Sequence, residues 1–384
     1  MIVDRAAARI SAAMIVRNEE RFLGDCLRSI VDEVDEIVIV DTGSVDGSCK
    51  IAAEHGARII HRPWTEDFSA ARNCALEHAS GDWVLYIDAD ERLEVPAAGA
   101  LRATVAAPGV VAFSLQFQPQ AGFTFYRELR LFRRDDRIRF HGVIHETVHP
   151  DLDAVAQADE LSFGESDIRL CHVGYEGDLT AKHHRNLPLL ETAVRETPER
   201  VFLWVDLAQA LAGLGRREEA VAACWQAVEA ADTYPDEKQA GDVTLAWQCL
   251  VTLNMPLNPS EAALLAHRGL SAYPHNHGLR LMLANALFMT GEAGTLLELL
   301  TALIAIDGET FEDTLIAYDK RIFGEWAFDL LGAAYARMGR RNLAARAFRQ
   351  AAALAPDNLA YRIKAAAFSS HPASGSTLTL PSRA

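Results

Sequence analysis

The sequence lacks any run of apolar residues long enough to cross a membrane, for which roughly 18 consecutive residues are needed. Residues 1–16 contain charged side chains and no plausible signal-peptide cleavage pattern. Cysteine is sparse: six are scattered among 384 residues, without a CxxC pair. In a long chain with no export signal, such cysteines indicate reduced thiols. These absences predict a cytoplasmic protein with no integral membrane segment.

Positive charge is also scarce. The chain has 37 Lys and Arg against 53 Asp and Glu, which gives a net charge of −16. Such a balance repels a nucleic-acid backbone, so nucleic-acid binding is not expected. Small phosphorylated ligands remain compatible with it, because a few local arginines or a metal ion can hold them.

The first half of the chain alternates short apolar strands with helical stretches. Strands are predicted at 10–16, 36–40, 57–61 and 83–87, with helices at 19–31, 45–55 and 68–79. This alternation predicts a parallel sheet covered on both faces. After residue 110 the strands follow one another without helices, at 110–117, 123–134, 138–148 and 167–173. The sheet is therefore expected to have a partly antiparallel extension.

From about residue 180 the sequence becomes rich in Ala and Leu and helical in pattern. The stretch 328–358 fits the tetratricopeptide spacing at Leu331, Gly332, Tyr335, Ala344, Phe348, Ala351 and Pro356. A second copy begins at Trp204, and weaker copies lie at 247–275 and 279–306, where an ordinary helical bundle is the alternative. The domains predicted are an α/β domain at 1–180, helical repeats at 181–367 and a Ser/Pro/Gly-rich, disordered tail at 368–384.

Two carboxylates follow the fourth predicted strand. Asp88 and Asp90 come directly after the apolar run 83–87. Residues i and i+2 point to the same side of a strand, so both carboxylates can converge on one point beyond the sheet. Two oxygen ligands there suit Mg²⁺ or Mn²⁺, with a substrate diphosphate completing the shell. Alternatively, one Asp caps a helix that begins near Val95 and the other is solvated.

Polar residues also follow the neighbouring strands. Arg17, Asn18 and Glu19 end the first strand, and Asp41 ends the second, where it can accept a hydrogen bond from a base or ribose. In the following turn, Gly43 and Gly47 permit tight bends and Ser44 is a suitable helix N-cap; Arg72 lies on the helix before the fourth strand. Ligands of open α/β sheets bind at this edge.

These stretches carry a family resemblance. Residues 14–30, 36–48 and 68–93 together resemble the nucleotide-sugar domain of family-2 glycosyltransferases, which have the GT-A fold, a Rossmann-like mixed sheet. With the repeats attached, the chain resembles the tetratricopeptide-bearing branch that includes S-glycosyltransferases of the sublancin type. Its first half also resembles lipopolysaccharide-core glucosyltransferases. The resemblance covers about residues 10–95 and rests on the order and spacing of several motifs.

The resemblance implies roles for particular residues. Asp41 is expected to contact the nucleobase and Arg72 to help hold the nucleotide, with Asp90 as the main metal ligand beside Asp88. His172, at a late strand end, is a candidate third metal ligand, although a lone histidine is more often structural. The remaining nucleotide-sugar candidates are Arg17, Glu19 and Asp88. The family inverts the anomeric carbon.

An inverting transfer needs a base that deprotonates the acceptor. Glu146, in the cluster His141, His145 and Glu146, is the first choice, with His145 and Asp151 in reserve. The alternative is that Glu146 pairs with one of the six arginines between residues 127 and 139. One face of that arginine-rich strand reaches a phosphate or the acceptor, or else forms a solvated edge.

The function predicted is that of a metal-dependent, inverting hexosyltransferase. A UDP-sugar is the favoured donor, with glucose or N-acetylglucosamine ahead, and the acceptor is a peptide, protein or glycan. The repeats favour a polypeptide acceptor or a homo-oligomer. A nucleotidyltransferase is one alternative, which the lack of a glycine-rich loop at 17–24 disfavours. A non-catalytic repeat scaffold is the other, and the set Asp41, Arg72, Asp88 and Asp90 argues against it.

Overall fold

The computed structural model of the protein describes residues 8–174, 180–236 and 239–369. It divides into two compact units, one made of Met1–Ala121 and Phe125–Glu196 and the other of Gly122–Thr124 and Thr197–Ala384. The predicted domain limits at 180/181 and 367/368 stay predictions, and the tail from residue 370 onward lies outside the described residues.

The described residues of the first unit form an eight-stranded mixed sheet. The strands are β1 (Ile10–Val16), β2 (Glu36–Asp41), β3 (Arg58–His61), β4 (Trp83–Tyr86), β5 (Glu91–Glu94), β6 (Val110–Gln118), β7 (Tyr126–Arg133) and β8 (Ser162–His172). Their order is β3-β2-β1-β4-β7-β6-β8-β5. The first four strands are mutually parallel, whereas β7 pairs antiparallel with both β4 and β6, and β5 antiparallel with β8.

Helices cover both faces of this sheet. The helices of the first unit are α1 (Leu23–Ile30), α2 (Ser48–Glu54), α3 (Phe68–His78), α4 (Ala100–Val105), α5 (His149–Ala158) and α6 (Thr180–Glu196). Met14 of β1 joins Leu27 of α1 in one apolar core, and Val38 of β2 joins Ala71 of α3 in a second core. A sheet buried on both faces needs continuous apolar strands, and the runs at 10–16 and 36–40 satisfy this requirement. The predicted parallel core is confirmed.

The segment 138–148, predicted as a strand, is an irregular loop instead. Its pairing is limited to one isolated bridge between His141 and Thr147. Gly142 has φ 101° and His145 has φ 51°, and such left-handed conformations interrupt an extended strand. The loop ends where α5 begins. The strand β5, which immediately follows the Asp-x-Asp motif, was not predicted.

The second unit is helical. Its helices are α7 (Val201–Gly213), α8 (Arg217–Thr233), α9 (Ala240–Asn254), α10 (Pro259–Ala272), α11 (His277–Thr290), α12 (Gly294–Ile304), α13 (Glu325–Arg337), α14 (Arg341–Leu354) and α15 (Leu359–Ser369), with a 3-10 helix at Lys320–Phe323. The predicted repeat copies fall on successive helix pairs from α7 to α14. A Cβ on Gly332 would lie 2.6 Å from the Phe348 ring, so glycine at this signature position lets the two helices meet.

The predicted fold class, a mixed α/β sheet domain followed by helical repeats, is confirmed. None of the described helices combines the length and the apolar character that a bilayer crossing requires.

Candidate functional site

The polar residues that follow β1, β2 and β4 share one edge of the sheet. Val16, the last residue of β1, pairs with Asp41, the last residue of β2. Arg17 and Glu19 therefore lie just beyond the edge of the sheet at which Asp41 lies. The amide of Ile87, the residue before Asp88, donates to the β1 backbone. The carboxyl ends of parallel strands meet at one edge, and these side chains therefore gather there.

The loops after β1 and β2 are joined by hydrogen bonds. The Asn18 amide donates to Ser44 Oγ at 3.0 Å, and the Val45 amide donates to Asn18 Oδ1 at 2.8 Å. The Gly47 amide donates to Glu20 Oε2 at 2.7 Å. The sequence predicted Ser44 as the N-cap of α2, and this prediction is wrong. The N-cap residue of α2 is Gly47, and no side chain caps the helix. The two loops form one rigid rim.

Asp41 is buried at the end of β2. Its Oδ1 accepts from the Ser44 amide at 3.0 Å, and its Oδ2 lies 3.2 Å from His61 Nδ1. Burial acts to raise the pKa of Asp41, but hydrogen bonds from Ser44, His61 and the Gly43 amide outweigh it, so the pKa is lowered. The carboxylate is charged at neutral pH and fixed in orientation.

Arg72 of α3 joins two carboxylates of the site. Its Nη2 donates to Asp88 Oδ1 at 2.9 Å, and its Nε donates to Glu146. The guanidinium is buried over the rings of Tyr86 and Phe140. Glu146 is thus paired with an arginine, but with Arg72 and not with one of the six arginines at 127–139.

The charge of Asp88 depends on this arginine. Burial acts to raise the pKa of Asp88, but the positive charges of Arg72 and Arg130 outweigh it and lower the pKa. The backbone amide of Asp88 donates to Glu91 Oε2 at 2.9 Å, which fixes the turn after β4. The carboxylate is therefore ionised and held toward α3.

Asp90 faces His172, the last residue of β8. Its Oδ2 lies 3.0 Å from His172 Nε2, while His172 Nδ1 lies 3.1 Å from the Pro119 carbonyl oxygen. An Nδ1 proton donated to that carbonyl leaves Nε2 as the atom that can bind a cation. A Cβ on Gly174 would lie 2.1 Å from Asp90 Oδ2, so the bare glycine backbone makes room for the carboxylate. The carboxylate oxygens of Asp88 and Asp90 suit Mn²⁺ or Mg²⁺, and His172 Nε2 adds one nitrogen donor.

The pKa of Glu19 reflects the negative charge that is concentrated at this edge of the sheet. Burial, and then the charges of Asp90, Asp88 and Asp46, raise the pKa of Glu19 to about 7, with Arg185 acting in the opposite direction. A carboxyl group that resists ionisation beside other carboxylates marks a place where a cation is favourable.

Replacing Glu19 by glutamine is expected to change how stability depends on pH. Between its ordinary pKa of 4.5 and about 7, the folded state holds a proton that the unfolded state has lost, so stability falls as pH rises. Glutamine mimics the protonated form. With a chelator present, the two proteins should unfold alike at pH 4, below the unfolded pKa. At pH 8 the E19Q variant should be more stable, on the order of 1–2 kcal/mol for a half-buried group.

Urea unfolding at both pH values measures this difference. Glu66→Gln, a change at a solvent-exposed glutamate, is the matched control and should not alter the pH dependence. Equal stability of wild type and E19Q at pH 8 would contradict the prediction.

The sequence reasoning missed a buried ion pair beneath the site. Arg130 Nη2 and Nη1 donate to the two oxygens of Glu91 at 2.9 and 3.1 Å, and both side chains are almost wholly buried. Since β7 lies inside the sheet, its arginines do not form a solvated edge. Arg130 also fails to reach an open ligand site, because Glu91 and Glu128 occupy its donors. The adjacency of Glu91 to the Asp-x-Asp motif was the available signal.

Arg185 of α6 is a second missed residue. It lies close enough to Arg17 and Glu19 that both charges act on its pKa: burial, and then Arg17, lower it, whereas Glu19 raises it. The helix therefore brings a cation from beyond residue 180 to the rim of the site. Nothing in the local sequence pattern distinguishes Arg185 from other helix arginines.

Of the two reserve candidates for the base, Asp151 is engaged by other residues. Asp151 accepts from the Arg139 amide at 2.9 Å and lies 2.8 Å from His141 Nε2. His145 has a left-handed backbone, an uncommon conformation for a residue other than glycine, and precedes Glu146.

Comparison with known families agrees with this architecture. Residues 11–149 match the family model for glycosyl transferase family 2, and residues 327–358 match that of a tetratricopeptide repeat. The resemblance expected from the sequence is confirmed: a segment similar to family 2 glycosyltransferases is followed by a segment similar to a tetratricopeptide repeat.

Curated relatives are similar to parts of this chain. A TPR repeat-containing protein of Synechococcus elongatus is 40% identical over 212 residues, covering 53% of this chain and 52% of that protein. The SPbeta prophage-derived glycosyltransferase SunS of Bacillus subtilis is 27% identical over 222 residues, covering 55% of this chain and 51% of SunS. The lipopolysaccharide core biosynthesis glycosyltransferase LpsC of Rhizobium meliloti is 33% identical over 157 residues, covering 37% and 57%. The chain spans about half the length of the curated relatives it matches.

Proposed function

We propose that this protein is a metal-dependent, inverting hexosyltransferase that moves a sugar from a nucleotide-sugar donor to an acceptor. The observation that carries the proposal is the convergence of Asp41, Arg72, Asp88 and Asp90 at one sheet edge, within a family 2 glycosyltransferase domain. Each of these residues is proposed to have a different role in such a transfer.

Asp41 is proposed to hold the nucleobase of the donor. Its carboxylate is ionised and its position is fixed by Ser44, so it can accept a hydrogen bond from a base N–H. The fastened rim of Asn18 and Ser44 gives the base a rigid edge to bind against. Arg17 and Glu19 are proposed to lie near the phosphates and the donor sugar.

Asp88, Asp90 and His172 are proposed to hold Mn²⁺ or Mg²⁺. Held by these residues, the ion would supply positive charge beside the diphosphate of the donor. Support comes from the donor atoms Asp90 Oδ2 and His172 Nε2, which face each other, and from the raised pKa of Glu19 in the same patch. Asp88 is held by Arg72, so its carboxylate keeps its charge in the absence of a cation.

Glu146 is proposed as the base. One carboxylate oxygen accepts from Arg72, and no described residue donates a hydrogen bond to the other, Oε2. Oε2 would take the proton of the acceptor as its heteroatom bonds to the anomeric carbon and the bond to the diphosphate breaks. Arg72 then has the task of orienting Glu146 and Asp88 relative to each other.

The donor and acceptor are proposed more coarsely. A UDP-sugar, with glucose or N-acetylglucosamine, is the favoured donor. A peptide, protein or glycan is the proposed acceptor, because helical repeats present extended surfaces and LpsC is named for lipopolysaccharide core biosynthesis.

The six free cysteines support a cytoplasmic location. Self-association through the repeats is also proposed.

A thermal-shift screen of nucleotide sugars with and without Mn²⁺ tests the function. A ligand at roughly 100 times its dissociation constant stabilises a protein by about 2.7 kcal/mol, which raises the melting temperature measurably. We expect a UDP-sugar to do so in the presence of Mn²⁺, and much less with a chelator. If a peptide shifts the melting temperature and no nucleotide sugar does, the protein is a repeat scaffold instead.

A further inference from the structure

A second group of potential metal ligands lies at the ends of β2 and β3. Asp41, Cys49 and His61 each offer one ligand atom, and these atoms all lie within 4.8 Å of one another. Asp41 comes from the end of β2, Cys49 from the first turn of α2 and His61 from the end of β3. Three separate elements therefore bring three different donors to one point.

These side chains already interact. The Cys49 thiol lies close enough to Asp41 for that carboxylate to raise its pKa, and His61 Nδ1 lies 3.2 Å from Asp41 Oδ2. A sulfur and a nitrogen atom therefore lie beside one buried carboxylate. A divalent cation can bind among them, since it is attracted to the carboxylate and accepts electron pairs from sulfur and nitrogen.

The distances permit this with small movements. Ligand atoms around tetrahedral zinc lie about 3.3–3.6 Å apart, given metal–ligand distances of about 2.0–2.3 Å. Closing a group that spans 4.8 Å to that size requires shifts of about 1 Å. The His61 side chain is 71% exposed and can make most of the adjustment, while the buried Asp41 stays fixed.

The donor set selects the type of cation. A thiolate, an imidazole and a carboxylate suit Zn²⁺ and similar ions, whereas Mg²⁺ and Mn²⁺ prefer oxygen-rich sites. The group differs in this respect from Asp88 and Asp90. Three protein ligands would leave a fourth position for water or a ligand.

We propose that Asp41, Cys49 and His61 form a binding site for Zn²⁺, and that zinc bound there blocks the donor nucleotide. Binding converts the Cys49 thiol to a thiolate with release of one proton, and turns His61 to the tautomer with its proton on Nε2. The blocking part rests on the proposed function, because it follows from Asp41 serving both the cation and the nucleobase. The zinc site itself does not depend on that function.

Burial and the neighbouring Asp41 raise the pKa of the Cys49 thiol, so without a cation the thiol is protonated at neutral pH.

Cobalt binding to the full chain tests the site directly. Co²⁺ occupies zinc sites, and a cobalt–thiolate bond gives a charge-transfer absorption that oxygen and nitrogen ligands do not give. We expect this band in the wild-type protein and its loss in Cys49→Ser. In His61→Ala, which changes an exposed side chain, we expect at least about tenfold weaker cobalt binding.

Two matched cysteine variants locate the signal. Cys171 is also close enough to a carboxylate, that of Glu94, for its charge to raise the pKa of the thiol, and Cys74 Sγ lies 3.9 Å from His78 Nδ1. The variants C171S and C74S should keep the band. If C49S keeps it, or if the wild type shows none with Co²⁺ in excess, the proposed site is wrong.

Donor competition tests the blocking effect. Zinc at one equivalent should weaken binding of a UDP-sugar by the wild-type protein at least about tenfold in the presence of Mg²⁺, and should affect C49S much less. Equal weakening in both proteins would overturn the blocking effect. If no nucleotide sugar binds at all but the cobalt band appears and depends on Cys49, the zinc site stands and the proposed function fails.

Discussion

Replacing Asp90 by asparagine is expected to reduce turnover at least about 1,000-fold, which corresponds to about 4 kcal/mol of lost transition-state stabilisation. Asparagine keeps the size of the side chain but removes the charge that faces His172. Hydrolysis of a UDP-sugar in the presence of Mn²⁺ measures the effect. The melting temperature should change little, because Asp90 lies at the surface of the site rather than in the core.

Two further variants test whether the loss of turnover in D90N comes from the position and charge of this carboxylate. Gly174→Ala keeps the carboxylate but places a methyl group 2.1 Å from its unshifted Oδ2, so Asp90 must move and activity should fall as well. Asp136→Asn changes a 92% exposed aspartate that lies 3.7 Å from Arg134, and should leave turnover unchanged. Normal turnover by D90N would contradict the assignment of Asp90 as a metal ligand.

The sheet core and its edge were predictable because they depend on local sequence. Continuous apolar runs at 10–16 and 83–87 can be buried only in a sheet covered on both faces. The same runs end at Arg17 and at Asp88, so the sheet edge and the polar residues beyond it follow from one pattern. Chain order then places these ends together, without knowledge of distant contacts.

The remainder of the site depends on contacts between distant parts of the chain. Glu146 lies 74 residues from Arg72, and no local pattern indicates which arginine it meets. The loop that carries Glu146 reads as a strand from its apolar alternation, but Gly142 and His145 have left-handed backbones that become apparent only in the fold. The sequence around Arg130 is likewise compatible with a surface position, and only the place of β7 between β4 and β6 shows that Arg130 is buried.

Replacing Arg72 by glutamine should destabilise the folded protein by about 3–5 kcal/mol, because it removes the cation from two carboxylates in a poorly solvated region. Arg72 is 9% exposed, and its partners are Asp88 and Glu146. Urea unfolding measures the loss. Arg137→Gln, which removes an exposed arginine paired with Asp135 and Asp159, is the control and should change the stability little.

The loss in R72Q should also depend on pH. Arg72 helps to hold the pKa of Asp88 below its ordinary value. Without Arg72, less positive charge opposes the effect of burial and the pKa of Asp88 rises, so the folded variant binds a proton more tightly than the folded wild type does. The stability deficit of R72Q should therefore be smaller at pH 5 than at pH 8.

A double variant separates charge from packing. If the deficit of R72Q comes from uncompensated carboxylates, removing one of them should restore part of it. The R72Q/E146Q protein should then be more stable than R72Q alone, although E146Q by itself removes an ion pair. If the two losses simply add, the contribution of Arg72 lies in its packing over Tyr86 and Phe140. Glu146 would then owe its position to the backbone of its loop, and its orientation as a base would not depend on Arg72.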